Sequence, residues 1–316
     1  MIEFGLLQSP HRIMRFTHRR TRARKCRALY LLLLILFLFV PGTSRAETRY
    51  PQRILSVTPA GTEILFDLGL GDRVVGVTQY CNWPPEAREK PSIGDMMHVN
   101  LEVIAGLAPD LVLLSNMNEH LKRELEAFGY PVAVVNQDDF EQICDSMIRV
   151  GRICGIADRA EKRVRELREE VARISSGVTG NASPRVLIVV GRDTADDLFR
   201  KVYIAGRRSF YDNLLAEAGA HNAYTGDVQY AQISRESLIR LDPDVVIELV
   251  GEHGGANLHT GDILAQWRAF DDLRAARTGD IAIIKGDFTL RAGPRYPLVL
   301  EAFIRAIHGG EREIEE

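Results

Sequence analysis

Aromatic, thioether and cationic residues, rather than a catalytic set, carry the chemistry in this sequence. Tyr80, Trp83, Met96, Ser115 and Asn116 fall after apolar runs in the first half of the chain, with Pro59 before them. Arg192, Tyr230, Glu248, Asp287, Phe288, Arg291 and Arg295 do so in the second half. Such a lining suits a large, partly flat and partly polar ligand, because open α/β sheets bind ligands beyond the carboxyl ends of their strands. Two further residues stand apart. Glu102 opens the segment Glu-Val-Ile-Ala-Gly-Leu-Ala-Pro-Asp-Leu-Val-Leu, and Glu236 opens Glu-Ser-Leu-Ile-Arg-Leu-Asp-Pro-Asp-Val-Val-Ile. A glutamate in the first turn of a helix is favoured by the helix dipole, by roughly 0.3–1 kcal/mol. Matched on two halves, the same pair could also fix a partner's register through bidentate arginine contacts.

Enzyme signatures are missing. The sequence has no GxxxxGK[ST] loop, no HExxH, no GxSxG and no GxGxxG after its first strand. Gly69 and Gly71 fall at a helix end, where glycine serves as a cap. No CxxC is present, and His253 and His259 are too weakly spaced to suggest a metal site. No catalytic residue and no protein-held metal is therefore expected.

The elements that position these residues alternate. Strands are expected at 53–57, 74–77, 111–114 and 132–135, with helices at 63–68 and 119–128 and a turn at 58–62 that Thr58 or Thr62 caps. After Pro184 the rhythm restarts, with strands at 186–190, 202–204, 245–247 and 281–284. Helices there are expected at 209–218, 234–241, 260–269 and 297–307. Between the halves, 140–174 lacks a strand signal and has one break near Gly155. Asp158 is placed to cap the run that follows. Val164, Leu167, Val171 and Ile174 make a narrow apolar stripe on a charged helix. The expectation is an α/β protein: two lobes with mostly parallel sheets over 50–150 and 183–316, joined by one long α-helix at 156–177. So stiff a connector allows only modest lobe closure.

Charge separates the ends. Residues 1–46 hold nine Arg or Lys and one acid, which leaves 31 bases against 42 acids over 47–316. An acidic body argues against nucleic acid as a partner. Residues 1–46 read as a signal peptide: a basic stretch from Arg12 to Arg27, an apolar run at 28–40, Pro41-Gly42, then small residues before Glu47. The run is short of the ~20 residues a spanning helix needs. Cleaved export to the periplasm is expected, with an uncleaved anchor as the alternative and Met14 as a second possible start. Lipid attachment is not expected, since no cysteine follows the apolar run. Cys81, Cys144 and Cys154 remain after cleavage, an odd number. Cys144 and Cys154 on one helix would stand ~15 Å apart, too far to bridge. All three read as buried small hydrophobes.

Several segments together resemble the periplasmic substrate-binding proteins of cobalamin, ferric-siderophore and haem ABC importers. They are Arg53-Ile-Leu-Ser-Val-Thr-Pro-Ala-Gly-Thr-Glu-Ile-Leu, Gly76-Val-Thr-Gln-Tyr-Cys-Asn-Trp-Pro-Pro, Asn100-Leu-Glu with its Pro-Asp, Tyr230-Ala-Gln-Ile-Ser-Arg-Glu and Gly293-Pro-Arg. The resemblance spans about 50–309 and implies two Rossmann-like lobes on one long helix. It implies that Glu102 and Glu236 dock on arginines of a permease dimer in the inner membrane. Similarity is greatest to cobalamin binders, which implies ligand contacts at Pro59, Ala60, Tyr80, Met96, Ser115, Tyr230, Asp287, Phe288 and Arg291. Met96 and Ser115 stand where such binders carry tryptophans. Haem binders show a ligand tyrosine near Gly94, where this chain reads Asp95-Met-Met-His98. Arg192, Arg291 and Arg295 keep a ferric siderophore open. The expected function is capture of a corrinoid or iron chelate by a monomer without a covalent cofactor. A two-lobed α/β transferase and an anchored sensor are the competing classes.

Overall fold

The computed structural model describes residues 50–96, 98–178, 183–193, 199–251 and 259–315. The expected signal segment and His253 lie outside them. The first lobe runs β1 (Ile54–Ser56), α1 (Pro59–Asp67), β2 (Val74–Val77), α2 (Leu101–Leu107), β3 (Leu111–Ser115), α3 (Glu119–Ala127) and β4 (Val132–Val135). Its four strands form one parallel sheet in the order β2-β1-β3-β4. Two helices follow, α4 (Phe140–Ile153) and α5 (Ala157–Ser176). The second lobe comprises β5 (Arg185–Arg192), β6 (Val202–Ala205), α6 (Phe210–Glu217), β7 (His221–Asn222), β8 (Tyr230–Ile233), α7 (Arg235–Leu241) and β9 (Val245–Val250). It continues with α8 (Thr260–Arg268), α9 (Arg274–Thr278), β10 (Ile281–Lys285), α10 (Tyr296–His308) and β11 (Glu313–Glu315). A separate seven-stranded sheet results, ordered β11-β10-β9-β5-β6-β8 with β7 beside β5. The pairs β5–β6 and β6–β8 are antiparallel, and the others are parallel.

Side chains alternate across each sheet with the period of two that a strand imposes. Ile54, Leu111, Leu113, Val186, Ile188 and Ile247 face one continuous core that also takes in α1, α4, α5 and α10. Leu55, Val112 and Leu114 face a second core under α2 and α3. Leu187, Val189 and Val246 face a third, with Trp267 and Phe270. The buried stripe of α5 is Ala160, Val164, Leu167, Val171 and Ile174, as the 3,4,3 spacing predicts. These residues join the core shared by both lobes, so the helix is a common packing partner of the two sheets and not a free hinge. Gly151 lets α4 cross α5 closely, since a Cβ there would collide with that of Ala160.

Local expectations needed correction at several places. The expected turn at 58–62 is already helix: α1 starts at Pro59, whose fixed φ suits the first helical position. Thr62 does not cap. Its hydroxyl turns to β1, donating to Ser56 Oγ at 2.8 Å, and Thr58 holds the cap position without a side-chain cap bond. Asp158 is not the cap of α5 either; Ile156 holds that position, and Asp158 stands in the first turn, where the dipole still favours it. β7, β8 and β11 were not foreseen, being short and mixed in polarity. The three cysteines are free and buried.

Candidate functional site

The groove between the lobes begins with a turn after β2. Thr78 O accepts from Cys81 N at 3.0 Å, and Thr78 Oγ1 lies 3.2 Å from Cys81 Sγ. This turn buries Cys81 and Asn82 and leaves Tyr80 39% exposed. Opposite, β10 ends at Gly286, whose φ of 134° reverses the chain into a 3-10 turn, Asp287–Leu290. Asn82 Nδ2 donates to Asp287 Oδ2 at 2.6 Å across the lobes. Arg291 Nη2 donates to the same oxygen at 2.6 Å, and its Nη1 donates to the carbonyl of Tyr80.

A second tie lies deeper. Arg295 donates from Nε to Glu63 Oε2 at 3.0 Å and from Nη2 to Glu63 Oε1 at 2.6 Å. Both side chains are largely buried, and the guanidinium lies 4.7 Å from the ring centre of Trp83. Gly293 leaves room for the Glu63 carboxylate, which a Cβ would meet at 3.1 Å.

With the lobes tied in this way, the groove encloses about 80 Å³, lined by Asn116, Met117, Asp138, Gln229, Tyr230 and Leu290 among others. Its mouth is apolar: Met117 is 76% exposed, Tyr230 54% and Leu290 42%. A wider hollow of about 730 Å³ lies around the Arg295–Glu63 pair, bounded by Phe66, Trp83, Glu86 and Arg163.

The expected contact residues divide into two groups. Tyr230 lines the groove, and Arg291 meets the carbonyl of Tyr80 beside it, with Pro59 half-buried at the start of α1 and Met96 half-buried near Asn118, whose Nδ2 donates to the Met96 carbonyl at 3.4 Å. Phe288 does not present its ring to a ligand, because it is packed in the core and 1% exposed. Ser115 is buried, with its hydroxyl donating to Asn118 Oδ1 at 2.7 Å. Ala60 is buried in the first turn of α1 beside Gly293. Asp287 is buried and ties the lobes, held between Asn82 and Arg291. Arg192 and Glu248 do not line the groove. They form a buried ion pair at 3.0 Å inside the second lobe, and the guanidinium lies 5.2 Å from the Phe199 ring centre. Among the described residues, no three His, Cys, Asp or Glu side chains gather to hold a metal.

The duplicated segments fold alike. α2 is capped by Asn100, whose side chain accepts from Glu102 N and Val103 N at 3.0 and 3.1 Å. α7 is capped by Ser234, which accepts from Ser237 N at 3.3 Å. Glu102 and Glu236 each hold the second helical position, exposed. A hydrogen bond from Ser234, with the Glu236 amide next in weight, keeps the Glu236 carboxyl below its ordinary range. Each helix ends on a left-handed residue that is not glycine, Ala108 at φ 43° and Asp242 at φ 37°. A clamp holds each end. Arg53 donates to the carbonyls of Leu107 and Ala108, and Arg185 to those of Leu241 and Asp242. Asp110 accepts from Arg53 N, and Asp244 from Arg185 N, both at 2.8 Å. The repeat thus extends back to an arginine opening each lobe's first strand, a signal present in the sequence as Arg53-Ile-Leu and Arg185-Val-Leu. Asn82, Asp138 and Gln229 had no such signal, since only the packing of the lobes brings them to the groove.

Comparison with known proteins fits this geometry. The profile of the periplasmic binding protein family matches residues 54–288. An uncharacterised ABC transporter substrate-binding lipoprotein of Bacillus subtilis (strain 168) is 27% identical over 82% of this chain and 80% of its own. The vitamin B12-binding protein of Pectobacterium carotovorum is 24% identical over 79% of this chain and 86% of its own. A periplasmic heme binding protein from Pseudomonas aeruginosa superposes with a TM-score of 0.70 and 26% identity, over 83% of this chain and 94% of that one. Two α/β lobes on a shared helix, an aromatic groove between them and a profile match over most of the folded body have one reading: the chain belongs to the periplasmic binding protein family.

Proposed function

We propose that this protein is an exported carrier that captures a bulky metal-containing ligand between its lobes and hands it unaltered to an ABC permease. A corrinoid is the first choice, and a ferric siderophore or haem the alternative. The observation that carries this reading is the groove mouth, where Met117, Tyr230 and Leu290 stay exposed in a fold that buries most of its large apolar side chains. Exposed rings and thioethers offer a flat ligand contact area without a covalent bond. The relatives' names, which include vitamin B12 and heme binding, support a ligand of this size.

The enclosed 80 Å³ is smaller than the ~300–1,000 Å³ of ordinary ligand pockets. A ligand of corrinoid size therefore sits across the mouth or parts the lobes on entry. Opening stretches the Asn82–Asp287–Arg291 tie, which crosses between the lobes next in the chain to the mouth residue Leu290. Glu102 and Glu236 remain outside the groove, free to meet cationic groups of a permease. Titration with cyanocobalamin, haemin and ferric chelates, followed by absorbance and tryptophan emission, tests the capture step. Replacing both docking residues, Glu102→Arg with Glu236→Arg, is expected to abolish uptake and leave ligand affinity unchanged. Uptake that survives the pair removes the docking assignment, and turnover of a nucleotide-linked substrate would favour a transferase instead.

A further inference from the structure

Asp138 occupies the floor of the groove, and two amides reach it from opposite lobes. Asn116 Nδ2 donates to Asp138 Oδ2 at 3.3 Å, and Gln229 Nε2 donates to Asp138 Oδ1 at 3.3 Å. Gln137, a third amide in the same lining, has its Oε1 buried without a hydrogen-bond partner. Among the described residues that line this space there is no lysine, arginine or histidine. Two neighbouring arginines, outside the lining, are already paired. Arg291 faces Asp287 and the Tyr80 carbonyl, and Arg295 faces Glu63. Arg207 and Arg208 precede the lining residue Ser209 and are exposed, and the field of Arg207 acts on Asp212. The groove therefore holds one carboxylate charge without a cation opposite it, set among amides and rings.

We propose that Asp138 and its three amides select ligands with a neutral, amide-bearing periphery and refuse anionic chelates. The inference rests on the carrier reading and narrows it to a ligand class. Primary amides both donate and accept, so Asn116, Gln137 and Gln229 can exchange hydrogen bonds with ligand carboxamides. The Asp138 carboxylate can accept from a ligand amide N–H in a charge-assisted bond. A ligand carboxylate or catecholate in the same place meets a like charge, and no cation in the lining offsets it. Corrinoids carry a rim of carboxamides, and ferric trihydroxamates are neutral. Haem carries propionates, and ferric tricatecholates are anionic. The first two suit the charge of this site, and the last two do not.

The test uses the exported protein and its Asp138→Asn variant, an isosteric change at a half-exposed side chain, with circular dichroism as the folding check. Each is titrated with cyanocobalamin, a ferric trihydroxamate and haemin at low and high salt. The wild type is expected to bind a neutral probe at least about tenfold more tightly than haemin, a difference of about 1.4 kcal/mol. Asp138→Asn is expected to narrow that gap by about tenfold, through tighter haemin binding, and added salt should narrow it in the wild type only. The two neutral probes separate a corrinoid from an iron chelate. Haemin binding as tight as the neutral probes, or an unchanged ratio in Asp138→Asn, overturns the charge filter while the carrier reading stands. If no probe binds, both fall.

Discussion

Replacing Glu63 by glutamine tests how the two lobes are held. Glu63 and Arg295 stand 232 residues apart in sequence and are joined by two hydrogen bonds of 2.6 and 3.0 Å. The Glu63 side chain is 3% exposed and that of Arg295 11%. Two unit charges at ~4 Å in an effective dielectric of ~20 attract by about 4 kcal/mol. Removing one partner of a buried pair costs about 3–5 kcal/mol, because the other charge stays buried and uncompensated. Glutamine keeps one hydrogen bond, and Arg295 keeps its contact with Trp83, so the low end, about 3 kcal/mol, is expected. With a urea slope of about 3 kcal/mol/M for a body of this size, the midpoint should fall by about 1 M. Trp83 in the first lobe and Trp267 in the second are the chain's two tryptophans, so emission reads both lobes. The double variant Glu63→Leu with Arg295→Met should recover most of the loss, since a packed apolar pair replaces a buried ionic one at little cost. A midpoint shift below about 0.3 M for Glu63→Gln, or a double variant less stable than the single one, would falsify the latch.

Two further outcomes follow from burial. Cys144 and Cys154 have their thiols pushed up to about 12 and about 11, mainly by burial, and burial also raises Cys81. In the folded protein Cys81, Cys144 and Cys154 should therefore react negligibly with a thiol reagent at pH 8 and all three should react in urea; fast labelling of any one in the native state contradicts this packing. Glu217 has its carboxyl raised, first by burial and also by Glu141, while the Tyr296 hydroxyl lowers it. In the window above the ordinary carboxylate value the native state binds more protons at this site than the unfolded chain, so its contribution falls as pH rises. Glu217→Gln should therefore gain stability relative to wild type as pH rises above the ordinary carboxylate range, and a gap that widens toward acid would reverse the sign argued here.

The sequence by itself determined the periodic parts. Short continuous apolar runs gave the central strands, which are buried on both faces, and the 3,4,3 stripe at Val164, Leu167, Val171 and Ile174 gave the long helix, because burial leaves its mark in local order. The duplicated Glu and Pro-Asp segments announced two like lobes for the same reason, since caps and helix stops are set by neighbours in the chain. Tertiary structure alone decided the groove. Whether Asp287 and Arg291 face a ligand or the opposite lobe depends on Asn82 and Tyr80, more than 200 residues away. Arg192 looked available from its place at a strand end, yet Glu248 neutralises it inside the second lobe. Asp138 and Gln229 carry no pattern at all, and Asn116 is marked only by its place after a strand. Their juxtaposition exists only because two sheets pack on one helix, and hydrogen bonds across that gap answer to distance in space rather than to spacing along the chain.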